Sequence, residues 1–285
     1  MDGEAYHRRM LTPEEVAHYH ETGQVTPNYR LGDEVVCAIK EKMEAHFATT
    51  PELDLNGSLR YAPPATSQFT DCLIETDRTW LDYAIDPNIL DAVSQLLGND
   101  IIVWASNIFC KEGKGDKATP WHQDGLYWPM RPLRACSVWI AIDHSTPDNG
   151  CLRIIPGSHK EQRALRHGAG NSGQRVLWPS DQTIQGADMP DVDPVDVVLE
   201  PGMVSLHDVF TIHGSAPNAS GERRAGLVYR YMPASSHYDR HLGAKLGGPY
   251  PEGSHMSPER SAVSELHLAR GVDVCGLNEV WQPNA

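Results

Sequence analysis

The sequence changes character at Gly98. Before it, apolar residues recur at helical spacing. From Ile101-Ile102-Val103-Trp104 onward, short apolar runs are separated by Gly-, Pro- and Asn-containing turns. Helices first and strands after predict helices laid on an antiparallel sheet. Thr12-Pro13-Glu14-Glu15 reads as a helix start, with Thr12 as N-cap, Pro13 in the first turn, Glu15 completing a capping box, and Gly23 as the stop. Val35, Val36, Ile39, Met43 and Phe47 stripe a second helix from Asp33 to about Phe47, and Trp80 to Leu97 reads as a third. Strands are expected at Ala135–Ile142, Cys151–Ile155, Val195–Leu199, Met203–Leu206 and Ala225–Met232. The last of these alternates Leu227, Tyr229 and Tyr231 with Val228, Arg230 and Met232.

The fold expected is mainly β: a jelly-roll core with N-terminal helices packed on it, forming a single domain over residues 1–285. Residues 1–98 supply helical support, 101–232 the β core, and 233–285 loops and a final segment. Pro51, Gly57, Pro63 and Pro64 mark 51–70 as loop, and 160–193 reads as a lid or rim. A net charge of −14 argues against nucleic acid or an anionic membrane surface as partner, and no apolar run is long enough for a membrane span. The six cysteines lack C-x-x-C spacing and sit mostly in apolar runs, which suggests reduced thiols and a cytoplasmic location. Monomer and homodimer both remain open.

The candidate chemistry lies in Thr119-Pro120-Trp121-His122-Gln123-Asp124-Gly125. On an extended strand, residues two apart face the same side, so His122 and Asp124 can share one metal ion. Alone, an H-x-D triplet is weak, since 14 histidines and 38 acidic residues make one easy to find by chance. His213, in Thr211-Ile212-His213-Gly214-Ser215, supplies a third donor. Two histidines and one carboxylate on one face of a metal leave the other face open, as in non-heme Fe(II) oxygenases. Arg224, at the head of the next strand, could fork onto a carboxylate with a hydroxyl from Ser215. Arg223 is its rival and would face the opposite way.

His122-Gln123-Asp124, Asp148-Asn149-Gly150-Cys151-Leu152, Pro156-Gly157-Ser158-His159-Lys160 and His213-Gly214-Ser215 together resemble the phytanoyl-CoA dioxygenase family. The resemblance runs from about Asn107 to Met232 and extends to the Thr12–Phe47 helices. It implies a double-stranded β-helix (cupin-like) fold, with Fe(II), 2-oxoglutarate and O2 as reactants and ascorbate as an assistant. His122, Asp124 and His213 would ligate iron, Arg224 and Ser215 would hold the distal carboxylate of 2-oxoglutarate, and Trp139 would line its pocket. Halogenating relatives carry Ala or Gly at the position of Asp124, so the carboxylate implies hydroxylation, with desaturation or ring closure as alternatives.

His207 is expected not to be a ligand, and His144 and His159 are expected at the surface or behind the ligands. Tyr127 and Trp128 fit a pocket wall and plain core equally well. Lys111, Lys114, Lys117, Arg131, Arg134 and Arg240 are expected on rim loops, where they could meet an anionic headgroup; Arg131, with Tyr127 and Trp128, completes the candidate substrate residues. The substrate expected is a small polar or zwitterionic metabolite, with an acyl-CoA as the alternative. A non-catalytic metal-binding β-barrel is the reading from another class.

Overall fold

The structure is a computed structural model describing residues 10–49, 72–114, 118–169, 182–184, 186–246 and 264–281. The expected loop at 51–70, Lys117, and parts of the 160–193 and 233–262 loops lie outside the described residues. Apart from one two-residue strand, the described part before Gly98 is helical and strands dominate after it, as the change at Gly98 predicts. Helix α1 (Pro13–Thr22) has the full Thr12/Glu15 capping box and ends on Gly23 in the left-handed region. A side chain on Gly23 would collide with Thr211 and His159, so both conformation and space require glycine there. Helix α2 (Asp33–Thr49) follows the short strand β1 (Gln24–Val25).

The expected helix from Trp80 to Leu97 is broken in two. After a short helix α3 (Leu73–Thr76), helix α4 (Leu81–Ala84) stops at Ile85, and α5 (Pro87–Leu97) starts afresh. Asp86 is the N-cap of α5 and accepts from the backbone N–H groups of Asn88 and Ile89, with Pro87 in its first turn. The apolar stripe continues across this break, which is why periodicity alone joins the two helices.

The β region begins with β2 (Ile101–Lys111) and β3 (Thr119–His122), followed by β4 (Met130–Arg131), β5 (Cys136–Ala141) and β6 (Leu152–Ile154). A hairpin of β7 (His167–Ala169) and β8 (Gln182–Ile184) precedes β9 (Val195–Val197), β10 (Val204–Asp208) and β11 (His213–Ser215). The chain continues through β12 (Arg224–Pro233), β13 (His237–Tyr238), β14 (Leu266–Arg270) and β15 (Val280–Trp281). Seven strands form one sheet in the order β1-β10-β5-β12-β2-β14-β15, and four form a second in the order β3-β11-β6-β9.

This is the expected mainly β, cupin-like double-stranded β-helix. Period-2 alternation gives each strand of the large sheet two tasks. Leu227, Tyr229 and Tyr231 of β12 face the helices and share a core with Trp80, Ile89, Val93, Ile39 and Met43. Two hydroxyls fasten that layer: Tyr229 donates to Trp80 O at 2.5 Å and Tyr231 to Ala84 O at 2.8 Å. The opposite face of β12 presents Arg224, Val228 and Arg230 to a cavity. The cysteines make no disulfide; Cys72, Cys110, Cys136 and Cys151 are buried and Cys37 is exposed. Among the described residues, no helix is long and apolar enough to cross a membrane.

Candidate functional site

Antiparallel pairing of β3 and β11 sets His122 directly opposite His213, with ring centroids 4.1 Å apart. Gln123 is extended (φ −113°, ψ 137°), so Asp124 returns to the side of His122, as the two-residue spacing predicts. One donor atom from each of His122, Asp124 and His213 lies within 4.8 Å of the others. His122 Nε2 is 3.6 Å and His213 Nε2 3.8 Å from Asp124 Oδ1.

The tautomers follow from the other ring nitrogens. Nδ1 of His122 lies 2.8 Å from Pro120 O, and Nδ1 of His213 lies 2.9 Å from Thr211 O. A carbonyl can only accept, so each Nδ1 carries the hydrogen and each Nε2 turns a lone pair toward Asp124. Burial, reinforced by His122, holds His213 well below the usual imidazole range. Burial alone would raise the Asp124 carboxyl, but the polar groups around it, among them the Ser137 hydroxyl and the Arg230 guanidinium, outweigh burial and hold it well below the usual range. Two imidazoles and an ionised carboxylate are the donor set of a facial metal site.

Neighbours hold Asp124 in place. Ser137 Oγ donates to Asp124 Oδ2 at 2.8 Å, which leaves Oδ1 toward the two ring nitrogens. The Gln123 side chain points away from the cavity, donating to Phe210 O at 2.7 Å and accepting from the Leu165 backbone at 2.7 Å. Its backbone N–H donates to His167 Nε2 at 3.1 Å. His207, not expected to be a ligand, lines the cavity with Nε2 3.6 Å from Asp124 Oδ2, outside the three-residue donor cluster.

At the other end of the cavity, Arg224 is buried, with its guanidinium 5.7 Å from the Trp139 ring centre. Its NH2 donates to Gly150 O at 2.9 Å, while its Nε has no hydrogen-bond partner. Arg223 points outward into ion pairs with Asp143 and Glu44, which settles which of the two arginines faces inward. Lys111, expected on a rim loop, is the correction here. It ends β2 opposite Arg224, is 1% exposed, and donates to Ser215 Oγ at 2.6 Å and to Ala216 O.

Burial, with Arg224 beside it, pushes the Lys111 ammonium well below its usual range, and burial brings Arg224 down to about 10. Among the described residues no carboxylate pairs with either one. Two buried cations without a counter-charge favour an incoming anion. Trp139 packs against Gly226: a Cβ there would come within 1.9 Å of the indole, so only glycine lets the ring in.

Of the candidate substrate residues, Trp128 takes the core place that was one of its two readings, and Arg131 lies at the surface. Trp128 is buried in a core with Trp104 and Met130, and Arg131 is exposed, its NH1 donating to Trp128 O and Met130 O. Neither lines the cavity. Tyr127 closes the turn after Asp124, and its side chain lies outside the described part. His144 is exposed and paired with Glu200, whereas His159 is buried, with Nε2 3.1 Å from His20 O.

The family model for phytanoyl-CoA dioxygenase (PhyH) matches residues 2–226. The peroxisomal phytanoyl-CoA dioxygenase of Bos taurus is 28% identical over 215 residues, covering 73% of this chain and 59% of that protein. The dioxygenase lolE1 of Epichloe uncinata is 29% identical over 171 residues, covering 60% of this chain and 59% of that protein. The chain therefore spans less than two thirds of the length of these relatives. The solved structure of CytC3 with Fe(II) and alpha-ketoglutarate has the same fold, with a TM-score of 0.63 at 22% identity, covering 96% of this chain and 94% of that one.

Proposed function

Because the chain belongs to the phytanoyl-CoA dioxygenase family, we propose that it is a non-heme Fe(II)- and 2-oxoglutarate-dependent oxygenase. Its reaction is hydroxylation of an unactivated C–H bond of a small polar organic molecule, with release of succinate and CO2. The observation that carries this reading is one cavity lined by the His122/Asp124/His213 donor cluster at one place and, at another, by the buried Arg224, which has no carboxylate partner among the described residues, and by Ser215, which Lys111 backs. A plain zinc barrel needs the first and has no use for the second. 2-Oxoglutarate has a matching polarity, with a 2-oxo acid end for the metal and a carboxylate for Arg224, Lys111 and Ser215.

His122, Asp124 and His213 would hold the iron through Nε2, a carboxylate oxygen and Nε2. Bound iron with 2-oxoglutarate would supply oxygen activation driven by decarboxylation of the co-substrate. The remaining work belongs to the chain. Ser137 keeps Asp124 turned, the Pro120 and Thr211 carbonyls fix both tautomers, and Trp139 over Gly226 narrows the co-substrate channel. The apolar walls, including Leu152 and Val228, limit access of bulk water to the reacting centre.

The test is succinate formation with Fe(II), ascorbate, 2-oxoglutarate and a panel of small acids, amines, phosphonates and acyl-CoAs. Anaerobic titration of 2-oxoglutarate into the Fe(II) protein is expected to raise a weak visible charge-transfer band, which Asp124→Ala loses together with turnover. Wild-type protein that gives neither band nor succinate would sink the reading.

A further inference from the structure

One group in the cavity has no part in the metal cluster or the co-substrate end. Arg230 lies on β12, on the same face as Arg224 and about 20 Å along the strand from it at the usual rise per residue. It is 2% exposed and lines the same cavity as Asp124. Its row across the sheet places it beside the groups around Asp124: Arg230 pairs with Ser137, and Ser137 with His207. Both of those neighbours reach Asp124 Oδ2, at 2.8 and 3.6 Å. The β12–β2 ladder shifts register immediately after Arg230, an irregularity of the kind that re-aims side chains beside binding sites.

Five N–H donors are spread around this guanidinium. Among the described residues, its hydrogen bond goes to the neutral Asn107 Oδ1, its Nε has no partner, and no carboxylate lies within ion-pair distance. Trp128 and Phe109 flank it, with ring centres 5.5 and 6.0 Å from the guanidinium carbon. Aromatic faces stabilise such a cation and hold its plane, yet they do not neutralise its charge. A dianionic 2-oxoglutarate would cancel a divalent metal, and Asp124 offsets one of the two lining guanidiniums, Arg224 and Arg230. The loaded cavity would still be positive.

We propose that Arg230 is the substrate anchor and that the substrate carries a carboxylate, phosphonate or similar small anionic group, bound by this guanidinium beside the metal. The inference rests on the oxygenase reading and narrows its substrate class. Held at that end, the anion would fix which carbon of the substrate faces the metal, so Arg230 would set the position of oxidation as well as affinity.

The experiment uses the full chain loaded anaerobically with Mn(II) and saturating 2-oxoglutarate. Isobutyrate, methylphosphonate and the neutral isobutyramide are titrated in turn, followed by calorimetry and tryptophan fluorescence. Wild-type protein should bind at least one of the two anions tenfold or more tighter than the amide. Arg230→Met should abolish that preference, with folding checked by thermal melting. Arg230→Lys keeps the charge but loses the planar fork, so it should weaken the anion several-fold and leave the amide unchanged. If Arg230→Met does not fold, the lysine variant decides. No anion preference in the wild type, or a preference that survives both substitutions, overturns the proposal. The preliminary titration of Mn(II) and 2-oxoglutarate tests the parent reading separately. If that fails, the same anion comparison is made on the metal-free protein, where Arg230 dependence would still stand or fall on its own.

Discussion

Asp124 keeps its charge in a place where an isolated carboxylate would take up a proton. Burial works against the ion, and the Ser137 hydroxyl and the Arg230 guanidinium work for it. Ser137 is therefore the residue behind the ligand set whose loss should be felt first. Ser137→Ala is expected to lower metal affinity about tenfold, within the range usual for groups that orient ligands, while Asp124→Ala removes the site. A Co(II) or Fe(II) titration of the two variants checks this, and a Ser137→Ala protein with wild-type affinity would count against it. Lys111 makes the matching case for the co-substrate end. Lys111→Met deletes a charged donor near Arg224, so the dissociation constant for 2-oxoglutarate should rise roughly ten- to hundredfold at unchanged metal affinity. An unchanged co-substrate constant would return Lys111 to a purely structural role.

The elements show why some residues could be read from sequence and others could not. His122, Asp124 and His213 carry donor chemistry at a spacing that a strand converts directly into geometry. Lys111 has no such signature. It stands just before a Gly-containing loop, and only the register of β2 against β12 turns it inward beside Arg224. The alternation Asn107, Phe109, Lys111 would have pointed to it had β2 been extended to its true end. Trp128 and Arg131 lie off the cavity for the opposite reason. Closeness in sequence to Asp124 made them candidates, but the chain leaves the cavity through the turn after Asp124.

The α4–α5 break was legible, since Asp86-Pro87 repeats the N-cap and proline pattern of Thr12-Pro13, but the unbroken apolar stripe concealed it. Asp86→Ala should cost about 1 kcal/mol of stability through the lost cap. Chemical denaturation would show it as a lower midpoint at constant slope, with metal affinity untouched. A silent variant would mean that packing of Ile89, Leu90 and Val93, and not the cap, fixes where α5 begins.

At the scale of the molecule, the structure places many titratable groups where acid works against folding. Burial pushes the imidazoles of His46, His159, His213 and His267 below their ordinary range. His167 is pushed down to about 4, because burial and then His122 oppose its charge. Its Nε2 also accepts the Gln123 backbone N–H, which an imidazolium could not do. A folded-state value below the unfolded one means that the unfolded chain binds the extra proton first. Stability from His167 is therefore fully present above about pH 6.5 and is lost as pH falls toward 4, by at most about 3 kcal/mol.

His167→Gln keeps an acceptor for Gln123 without a titrating ring. The expected result is a melting temperature that falls less steeply between pH 6.5 and 4.5 in the variant than in the wild type, with the two curves converging near pH 7. His167 joins the β7–β8 hairpin to the strand end that carries Gln123 and Asp124, so the same acidification should loosen the hairpin against the metal-binding strand. Amide exchange at Gln123 gives that local readout. Faster exchange at low pH in the wild type but not in His167→Gln would tie the loss of stability to this contact. Parallel melting curves for the two proteins would place the acid sensitivity among the other buried histidines.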